Sequence, residues 1–205
     1  YFITIPFILS KMVNSMKKEV EQANPLKKHL FQLLINSSKS FLRDENPGHY
    51  HTMIFLRAQK FFKDILKKQG LGNLKFIVVG GGRVNKDDFN FFEAIGINVL
   101  QGYGLTETNA IGAIISGKFY ESRPHSTGRP TPPVTTLVIH DEAGRELETG
   151  EDGEICIKGP TIMKGYWNRP EATEEVLDAE GWFRTGDVAI IDEDGFVSIV
   201  DRIKD

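Results

Sequence analysis

The first third of the chain carries hydrophobic residues at helical spacing. Between positions 11 and 34 these residues are Met12, Val13, Met16, Val20, Leu30, Leu33 and Leu34. Pro25 interrupts the pattern, and because proline lacks a backbone N–H it predicts a break between two helices that form a hairpin. A loop is predicted over residues 44–48, which include Asn-Pro-Gly, and a third helix over residues 50–68, ended by Gly70.

Two short, continuous apolar runs follow the helical region. Residues 74–79 and 97–100 have the pattern of strands that are buried on both faces. A short helix is predicted between them, over residues 87–94. Because the order strand, helix, strand favours a parallel crossover, the pattern predicts a parallel-sheet α/β unit.

After residue 124 the pattern changes to short strands separated by Asp, Glu and Gly turns, and Pro130, Pro132 and Pro133 mark the boundary. The predicted elements are strands over 135–140, 154–158, 188–191 and 196–200, surface hairpin turns over 141–144 and 192–195, and a short helix over 172–177. Repeated short strands indicate a small barrel or sandwich. The expected fold class is α/β: a parallel-sheet α/β subdomain with a helical insertion (1–125), then a small β-barrel-like subdomain (126–200).

Charge and composition argue against several classes of protein. With 25 Lys and Arg against 28 Asp and Glu, the formal net charge of the 205-residue chain is -3, so no nucleic-acid partner is expected. Cys156 is the only cysteine, so an intramolecular disulfide is excluded and a cysteine-based zinc site is not expected. The five histidines lack metal-ligand spacing. We expect a cytoplasmic protein.

The opening residues are apolar but lack the features of a membrane span or a signal peptide. Residues 1–9 are too few to cross a bilayer, which takes about 20 residues, and Pro6 interrupts them. They have no basic n-region and no small-residue cleavage site. We therefore expect no transmembrane segment, with peripheral contact at a membrane surface left open, and we interpret Tyr1 as a position inside a longer protein.

The segment that indicates chemistry most directly is QGYGLTET, which follows the second predicted strand. In open α/β sheets, ligands bind at the carboxyl ends of strands. Gly102 and Gly104 let the backbone approach a ligand, Tyr103 offers a flat face to a base, Thr106 a hydroxyl to phosphate, and Glu107 a hard oxygen to Mg²⁺. The segment predicts a nucleotide and metal site; the competing interpretation is an ordinary glycine-rich turn with a packing tyrosine.

This octet resembles the YGxTE motif of the adenylate-forming (AMP-binding) superfamily, and later segments resemble further motifs of that family in the same order. They are STGRP at 126–130 for SVGxP (Thr127 in place of Val), GEICIKGP at 153–160 for GEIxxxGP, MKGYW at 163–167 for MxGY, GWFRTGD at 181–187 for GWxxTGD, and a hinge-like segment at 195–205 that ends in DRIKD. The resemblance covers the whole chain.

A glycine triplet upstream of the octet resembles the SGGAPL segment of the same family. It is Gly80-Gly81-Gly82, with Val79 replacing Ser and Gly82 replacing Ala. The rival interpretation is a Rossmann turn, which needs the pattern Gly-x-Gly-x-x-Gly. We reject the Rossmann turn because Asn85 stands where the third glycine is required.

The resemblance implies a site for ATP and AMP. Asp187 corresponds to the ribose-binding aspartate, whose two carboxylate oxygens accept from vicinal hydroxyls. Arg202 is expected near the ribose and the phosphate, where a permanent cation offsets negative charge. Tyr103 is expected to stack on adenine. The other implied nucleotide-binding residues are Gly81, Gly82, Gln101, Gly102, Gly104, Thr106 and Lys204, and Glu107 is the implied Mg²⁺ ligand.

Three further expectations concern how these residues act. Thr106, Glu107 and Arg202 are the implied catalytic residues. Gly102 and Tyr103 are expected to meet Asp187 in one cleft, with Asp187 as an exposed carboxylate. Lys204 is expected in a hinge, residues 201–205, that leads to a mobile C-terminal domain, whereas Glu154 and Trp182 are expected to be structural.

The first seventy residues bear on which substrate this member of the family activates. Residues 5–13 resemble the VPRxxEK segment of long-chain fatty acid CoA ligases, with Phe7 for Arg and Ser10 for Glu, and the apolar helix from Leu30 resembles their insertion. The implied activity converts a fatty acid and ATP to acyl-AMP and then, with coenzyme A, to a thioester. Alternatives are a fatty-acyl-AMP ligase, an amino-acid-selecting or other adenylation enzyme, a non-catalytic AMP-binding homologue, and a structural or interaction domain.

Two parts of the family's machinery are not found between Tyr1 and Asp205. These are the Ser/Thr/Gly-rich loop ending in Lys, which grips the β and γ phosphates, and the C-terminal domain with its lysine. In-line transfer needs the triphosphate to be held and its charge neutralised. We therefore expect an internal fragment that does not form acyl-adenylate on its own.

Overall fold

The computed structural model describes residues 1–44, 48–131 and 136–203, without the side chains of Tyr50 and His51. The chain begins with a short strand, β1 (Phe2–Thr4), followed by the helices α1 (Pro6–Glu21), α2 (Pro25–Arg43) and α3 (His49–Lys68). The predicted helical hairpin and third helix are confirmed. Pro25 begins α2 instead of disrupting it, because Asn24 caps the helix by accepting from the backbone N–H of Lys27 at 2.9 Å.

The first sheet has five strands in the order β1-β2-β3-β4-β5. The strands after β1 are β2 (Phe76–Val79), β3 (Asn98–Tyr103), β4 (Ala113–Ser116) and β5 (Arg129–Pro130). The pair β1/β2 is parallel and the pair β4/β5 is antiparallel. The helix α4 (Lys86–Ala94) connects β2 to β3, as predicted, and α5 (Gly117–Ser122) follows β4. The sheet is therefore mixed, and it contains a parallel pair, as the expected fold class requires.

The first of two compact units comprises residues 1–100 and 116–121. Its core combines side chains from α1 to α4 with those of β2 and β3; they include Leu9, Val13, Phe31, Ala58, Phe62, Ile77, Val79, Phe89, Phe92 and Val99. Ser10 in α1 donates to the carboxylate of Asp88 in α4. Ser10, which departs from the glutamate of the resembled segment, thus joins two helices of this unit.

The second unit comprises residues 101–115 and 122–205 and contains a four-stranded antiparallel sheet. Its strands are β6 (Thr136–His140), β7 (Asp152–Lys158), β8 (Phe183–Ile191) and β9 (Val197–Arg202), hydrogen-bonded in sequence order, and α6 (Pro170–Glu174) lies between β7 and β8. Leu137, Ile139, Ile155, Ile157, Ala189 and Val197 form its hydrophobic core. Both predicted hairpin turns are confirmed, with backbone bonds from Gly144 to Asp141 and from Gly195 to Asp192.

The strand boundaries differ from the predicted ones where glycines obscure the pattern. β3 continues to Tyr103, so the octet begins inside the strand, and β8 begins at Phe183, five residues before the predicted start. β9 extends through Arg202. The short strands β1, β4 and β5 were not predicted, because two to four residues carry too little pattern to be recognised.

Several sequence expectations concern residues outside the described ranges. These are the Asn-Pro part of the 44–48 loop, Pro132 and Pro133 at the expected boundary, Thr135 at the start of β6, and Lys204 and Asp205 in the expected hinge. The lone thiol of Cys156 is buried in β7, and burial raises its pKa to about 12. A helix with the length and hydrophobicity needed to cross a bilayer is absent from the described part of the chain.

Candidate functional site

The side chains of Tyr103, Asp187 and Arg202 form one hydrogen-bonded group in the second unit. The Tyr103 hydroxyl donates to Oδ2 of Asp187 at 2.6 Å, and Nε of Arg202 donates to Oδ1 at 2.8 Å. Asp187 and Arg202 also face each other in the register of β8 and β9. The predicted proximity of Tyr103 and Asp187 is therefore confirmed, although the two residues are 84 positions apart in the sequence.

The expectation of an exposed Asp187 carboxylate was wrong, because Asp187 is only 3% exposed. A buried carboxylate needs hydrogen bonds and a compensating charge. Tyr103 provides a hydroxyl, and Arg202 provides a guanidinium whose side chain stays 55% exposed. Each carboxylate oxygen accepts one of these bonds and retains capacity for a second donor.

A bulge in β8 determines the position of Asp187. Glu154 and Cys156 on β7 pair with Val188 and Arg184 on β8, so two steps along β7 correspond to four steps along β8. The extra residues form the Thr185-Gly186-Asp187 segment, where Gly186 has φ +75°. A glycine suits this left-handed conformation, which explains the Gly before the Asp in the TGD segment.

Glu154 and Thr185 hold the bulge from within. Glu154 is 7% exposed; its Oε1 accepts from the Gly186 N–H at 2.9 Å and its Oε2 from Nε of Arg184 at 2.8 Å. The Thr185 hydroxyl donates to the Ile155 carbonyl at 2.9 Å and accepts from the Asp187 N–H at 3.1 Å. The structural role that the sequence predicted for Glu154 is confirmed.

Tyr103 is held in its neutral form by its surroundings. Burial, and then the hydrogen bond to Asp187, raise the pKa of its hydroxyl above the ordinary value. Its ring packs against the core of the second sheet. The hydroxyl therefore remains a donor to the carboxylate at every pH at which the chain is expected to work.

This raised pKa predicts a pH dependence of stability. Tyrosine in the unfolded chain ionises near pH 10, whereas Tyr103 in the folded chain holds its proton, so the free energy of unfolding falls as pH rises above about 10 by up to ~1.4 kcal/mol per pH unit. Tyr103→Phe lacks this contribution. Between about pH 9 and pH 11, we expect it to lose about 1 kcal/mol less stability than the wild type in urea unfolding. Parallel pH curves for the two proteins would contradict the raised pKa.

The segment after Tyr103 forms a 3-10 helix, Thr106–Thr108. The predicted phosphate contact, Thr106, is exposed, whereas Thr108 is buried and bonds to the backbone of Leu105. Glu107 is half-buried, and its Oε1 accepts from the Tyr166 hydroxyl at 2.9 Å. Burial and this bond raise the pKa of Tyr166.

Tyr166 is a residue at the site that sequence reasoning missed. Tyr166 is the last position of the MxGY segment, and nothing in that sequence pattern indicates contact with Glu107. The backbone N–H of Met163 also donates to the Glu107 carbonyl, at 2.8 Å. The MKGYW segment therefore orients the 3-10 helix that carries Glu107.

A cleft of about 560 Å³ lies beside these groups within the second unit. Its walls are formed by Leu105, Glu107, Glu154, Tyr166, Glu175, Val176, Phe183, Arg184, Thr185, Gly186, Arg202 and Ile203. Glu107 and Arg202 face it directly. Gly102, Tyr103 and Asp187 do not line its walls, so their predicted convergence on one cleft stays a prediction. Asp187 borders the cleft as the chain neighbour of Gly186 and the hydrogen-bond partner of Arg202, and Tyr103 is connected to it through Asp187.

Two predicted residues of the octet have roles inside the protein. Gln101 is 4% exposed, and its side-chain amide donates to the Ser126 carbonyl at 3.4 Å, so it is not brought to the cleft. A Cβ at Gly104 would lie 2.3 Å from the Ala110 carbonyl oxygen, so its own loop requires glycine. Gly102 lies half-buried in β3 beside Tyr103. Their contacts with a ligand stay predictions.

A family model described as AMP-binding enzyme matches residues 2–167. The chain belongs to the AMP-binding enzyme family. It is 39% identical over 155 residues to a probable CoA ligase of Humulus lupulus and 40% identical over 151 residues to a long-chain-fatty-acid–CoA ligase of Yersinia pestis. These matches cover 74% and 70% of this chain, but only 28% and 26% of the relatives.

A solved structure of a relative has the same fold as this chain. The fatty acyl CoA synthetase of Mycobacterium tuberculosis superposes with a TM-score of 0.59 at 36% sequence identity. The match covers 66% of this chain and 26% of that one. The chain therefore spans about a quarter of the proteins it matches, and its α/β fold with a separate antiparallel sheet is that of the AMP-binding family.

The STGRP segment of the family pattern has a structural role in this chain. The Ser126 hydroxyl donates to the Val197 carbonyl at 2.7 Å and accepts from the Gly128 N–H at 2.9 Å. Thr127, the departure from the family pattern, donates its backbone N–H to the same carbonyl at 2.8 Å. The segment thus fastens the start of β9 without entering the cleft.

The glycines of the upstream triplet lie in the first unit, after β2. Gly81 has φ +75°, a conformation that favours glycine, and a Cβ there would lie 3.7 Å from Ile5. Gly82 lies near Pro6, with the corresponding distance 3.6 Å. The other described candidates belong to the second unit, and the role of Gly81 and Gly82 in the AMP-binding family pattern stays a prediction here.

The donor set fits a magnesium ion that is held largely by its nucleotide. Across residues 1–44, 48–131 and 136–203, no group of three or more His, Cys, Asp or Glu side chains could hold a metal. Glu107 offers one half-buried carboxylate, with one oxygen engaged by Tyr166. Mg²⁺ is commonly bound by one or two carboxylates together with substrate phosphates, which this arrangement fits.

Proposed function

We propose that this chain binds the adenosine part of ATP and AMP, within a ligase that activates a carboxylic acid as acyl-adenylate and transfers it to coenzyme A. The observation that supports this most is the Asp187 carboxylate, buried beside the cleft and held by Tyr103 and Arg202. Its oxygens retain capacity for two more donors, which the ribose 2′ and 3′ hydroxyls supply. Adenine is assigned to the Gly102-Tyr103 end of β3.

Arg202 has a second task in this proposal. Its side chain is 55% exposed and faces the cleft, so it is able to approach the α-phosphate while remaining near Asp187. A guanidinium keeps its charge at all working pH values and bonds phosphate oxygens with fixed geometry. Arg202 would stabilise the charge that develops as pyrophosphate leaves, and the exposed hydroxyl of Thr106 would contact the phosphates.

Glu107 is assigned to the metal side of the same cleft. A bound Mg²⁺ would supply positive charge to the phosphates of ATP. The Tyr166 hydroxyl donates to one carboxylate oxygen of Glu107, and the other oxygen is proposed to bind the Mg²⁺ ion. The proposed hinge at 201–205, which includes Lys204, overlaps the last two residues of β9, Asp201 and Arg202. The domains proposed from the sequence are 1–125 and 126–200.

The proposed reaction has two steps. The substrate carboxylate oxygen forms a bond to the α-phosphorus of ATP, and the bond from that phosphorus to pyrophosphate breaks, which gives acyl-AMP. The thiolate of coenzyme A then bonds to the acyl carbon, and AMP leaves with the electrons of the carbon–oxygen bond. In this proposal the chain contributes positioning and charge, which are the usual source of catalysis for the in-line attack on phosphorus in the first step.

The proposed carboxylic acid is a long-chain fatty acid. Support comes from the Yersinia pestis and Mycobacterium tuberculosis relatives and from the resemblance of residues 5–13 to long-chain ligases. An alkyl chain is recognised by apolar surface instead of polar groups. We also propose a cytoplasmic location, in keeping with a single cysteine that is a free, buried thiol.

Calorimetric titration of the 205-residue chain tests both levels of this proposal. AMP and GMP test the nucleotide, and two non-hydrolysable acyl-adenylates, one with a long alkyl and one with an aromatic acyl group, test the acid. We expect AMP to bind at least about tenfold more tightly than GMP, a difference of ~1.4 kcal/mol, and the alkyl compound more tightly than the aromatic one. Equal affinity for AMP and GMP would refute the adenosine site; preference for the aromatic compound would refute the fatty acid alone.

A further inference from the structure

Glu154 is a buried carboxylate that does not belong to the ribose-binding group. It lies on β7, is 7% exposed, and none of its bonds reaches Tyr103, Asp187 or Arg202 among the described contacts. Burial of a charged group is costly unless its bonds are complete. Glu154 is therefore not a solvated surface residue. Its hydrogen bonds show which part of the chain it orients.

Glu154 acts on the residue directly before Asp187. Oε1 accepts from the Gly186 N–H at 2.9 Å, while the Gly186 carbonyl accepts from the Ile203 N–H at 2.9 Å. The Gly186 peptide groups are thus fixed from both sides, by β7 and by the residue after β9. Because Gly186 has φ +75° and a Cβ there would meet nothing within 4 Å, side-chain packing does not fix this segment.

We propose that Glu154 is a positioning residue for the nucleotide site: by holding the Gly186 N–H it sets the bulge of β8 and so places the Asp187 carboxylate for the ribose. This inference rests on the proposed assignment of Asp187. On the β9 side Asp187 is paired with Arg202, but pairing with β7 does not place it, because β7 and β8 are out of register over this segment. The guanidinium of Arg184 balances the charge on the other carboxylate oxygen of Glu154, because Nη2 lies 2.6 Å from Oε2.

Two substitutions of Glu154 separate the effect of side-chain length from the effect of side-chain charge. Glu154→Gln keeps the length and an oxygen acceptor for Gly186; it removes the charge and turns an amide donor toward Arg184, whose side chain is 41% exposed and is able to turn to water. Glu154→Asp keeps the charge but is shorter by one methylene, about 1.5 Å, and cannot reach both partners. A positioning role predicts that Gln preserves the site and Asp does not, whereas a role in charge balance predicts the reverse order.

The test measures AMP affinity and amide hydrogen exchange at Gly186 in the 205-residue chain and its two variants. We expect Glu154→Asp to weaken AMP binding about tenfold or more and to speed Gly186 exchange, with Glu154→Gln within about threefold of wild type in both. Urea unfolding confirms that each variant is folded at the assay temperature. Glu154→Asp with wild-type affinity despite faster exchange, or Glu154→Gln as weak as Glu154→Asp, would overturn the proposal.

A third readout separates this inference from the proposed function. NMR of ¹³C-tyrosine, with the Tyr103 signal assigned from Tyr103→Phe, follows the ionisation of Tyr103 at about pH 11, where ordinary tyrosine is ionised. We expect a larger ionised fraction of Tyr103 at this pH in Glu154→Asp, where the bond to Asp187 is lost and burial alone raises the pKa, than in wild type or Glu154→Gln. If wild type binds no AMP, the proposed function fails, and an unchanged Tyr103 in Glu154→Asp would refute the positioning role on its own.

Discussion

Asp187→Asn is expected to weaken AMP binding to this chain by about 10- to 150-fold, because a charge-assisted hydrogen bond to the ribose contributes about 1.5 to 3 kcal/mol. Asparagine keeps the size of the side chain but replaces one acceptor oxygen with a donor. That donor must face the Tyr103 hydroxyl or the Arg202 guanidinium, both of which already donate to Asp187. Calorimetric titration with AMP measures the loss.

The same substitution should also reduce stability, because Asp187 is buried. We expect a decrease of about 1 to 3 kcal/mol in the free energy of unfolding, from a polar group left without its partner. Asp152→Asn is the matched control: it makes the same chemical change in the second sheet, at an exposed position of β7. AMP affinity equal to wild type in folded Asp187→Asn would remove Asp187 from the ribose site.

The helices were predictable because their signals are local. Hydrophobic periodicity identified α1 and α2, and Pro25 separated them, since proline at the first position of a helix costs no hydrogen bond. The start of β8 was not predictable in the same way. Gly186 suggests a turn, whereas in the structure it lies inside the strand as part of a bulge whose geometry depends on Glu154 from another strand.

The candidate site was predictable in outline from ordered motifs and not in its contacts. Motif order brought Tyr103 and Asp187 to one place, and the hydrogen bond between them confirms it. The sequence did not indicate that Asp187 is buried, because nothing in a motif states what covers a carboxylate. Tyr166 escaped notice for a similar reason: its bond to Glu107 spans 59 positions and no periodic pattern links them.

Gly128→Ala is expected to be among the most destabilising single substitutions in the second unit. Gly128 has φ +104°, and a Cβ there would lie 2.0 Å from the carbonyl oxygen of Ile114 and 2.5 Å from the nitrogen of Ile115. These are backbone atoms, which cannot rotate away as a side chain would. Gly128 also accepts the Val197 N–H at 2.8 Å, so a shift of its backbone disturbs the start of β9.

We expect Gly128→Ala to lower the free energy of unfolding by about 2 to 5 kcal/mol, from backbone strain of about 1 to 2 kcal/mol and a steric term of about 1 to 3 kcal/mol. Gly144→Ala is the matched control, because Gly144 has φ +78° in the same unit but its Cβ would meet nothing within 4 Å. The control should lose the strain contribution alone, about 1 to 2 kcal/mol. Urea unfolding of both variants measures the difference. Equal losses would show that the positive φ, and not close approach to Ile114, requires glycine at position 128. A larger loss for Gly128→Ala would show that glycine is required there because the chain packs closely between β4 and the start of β9.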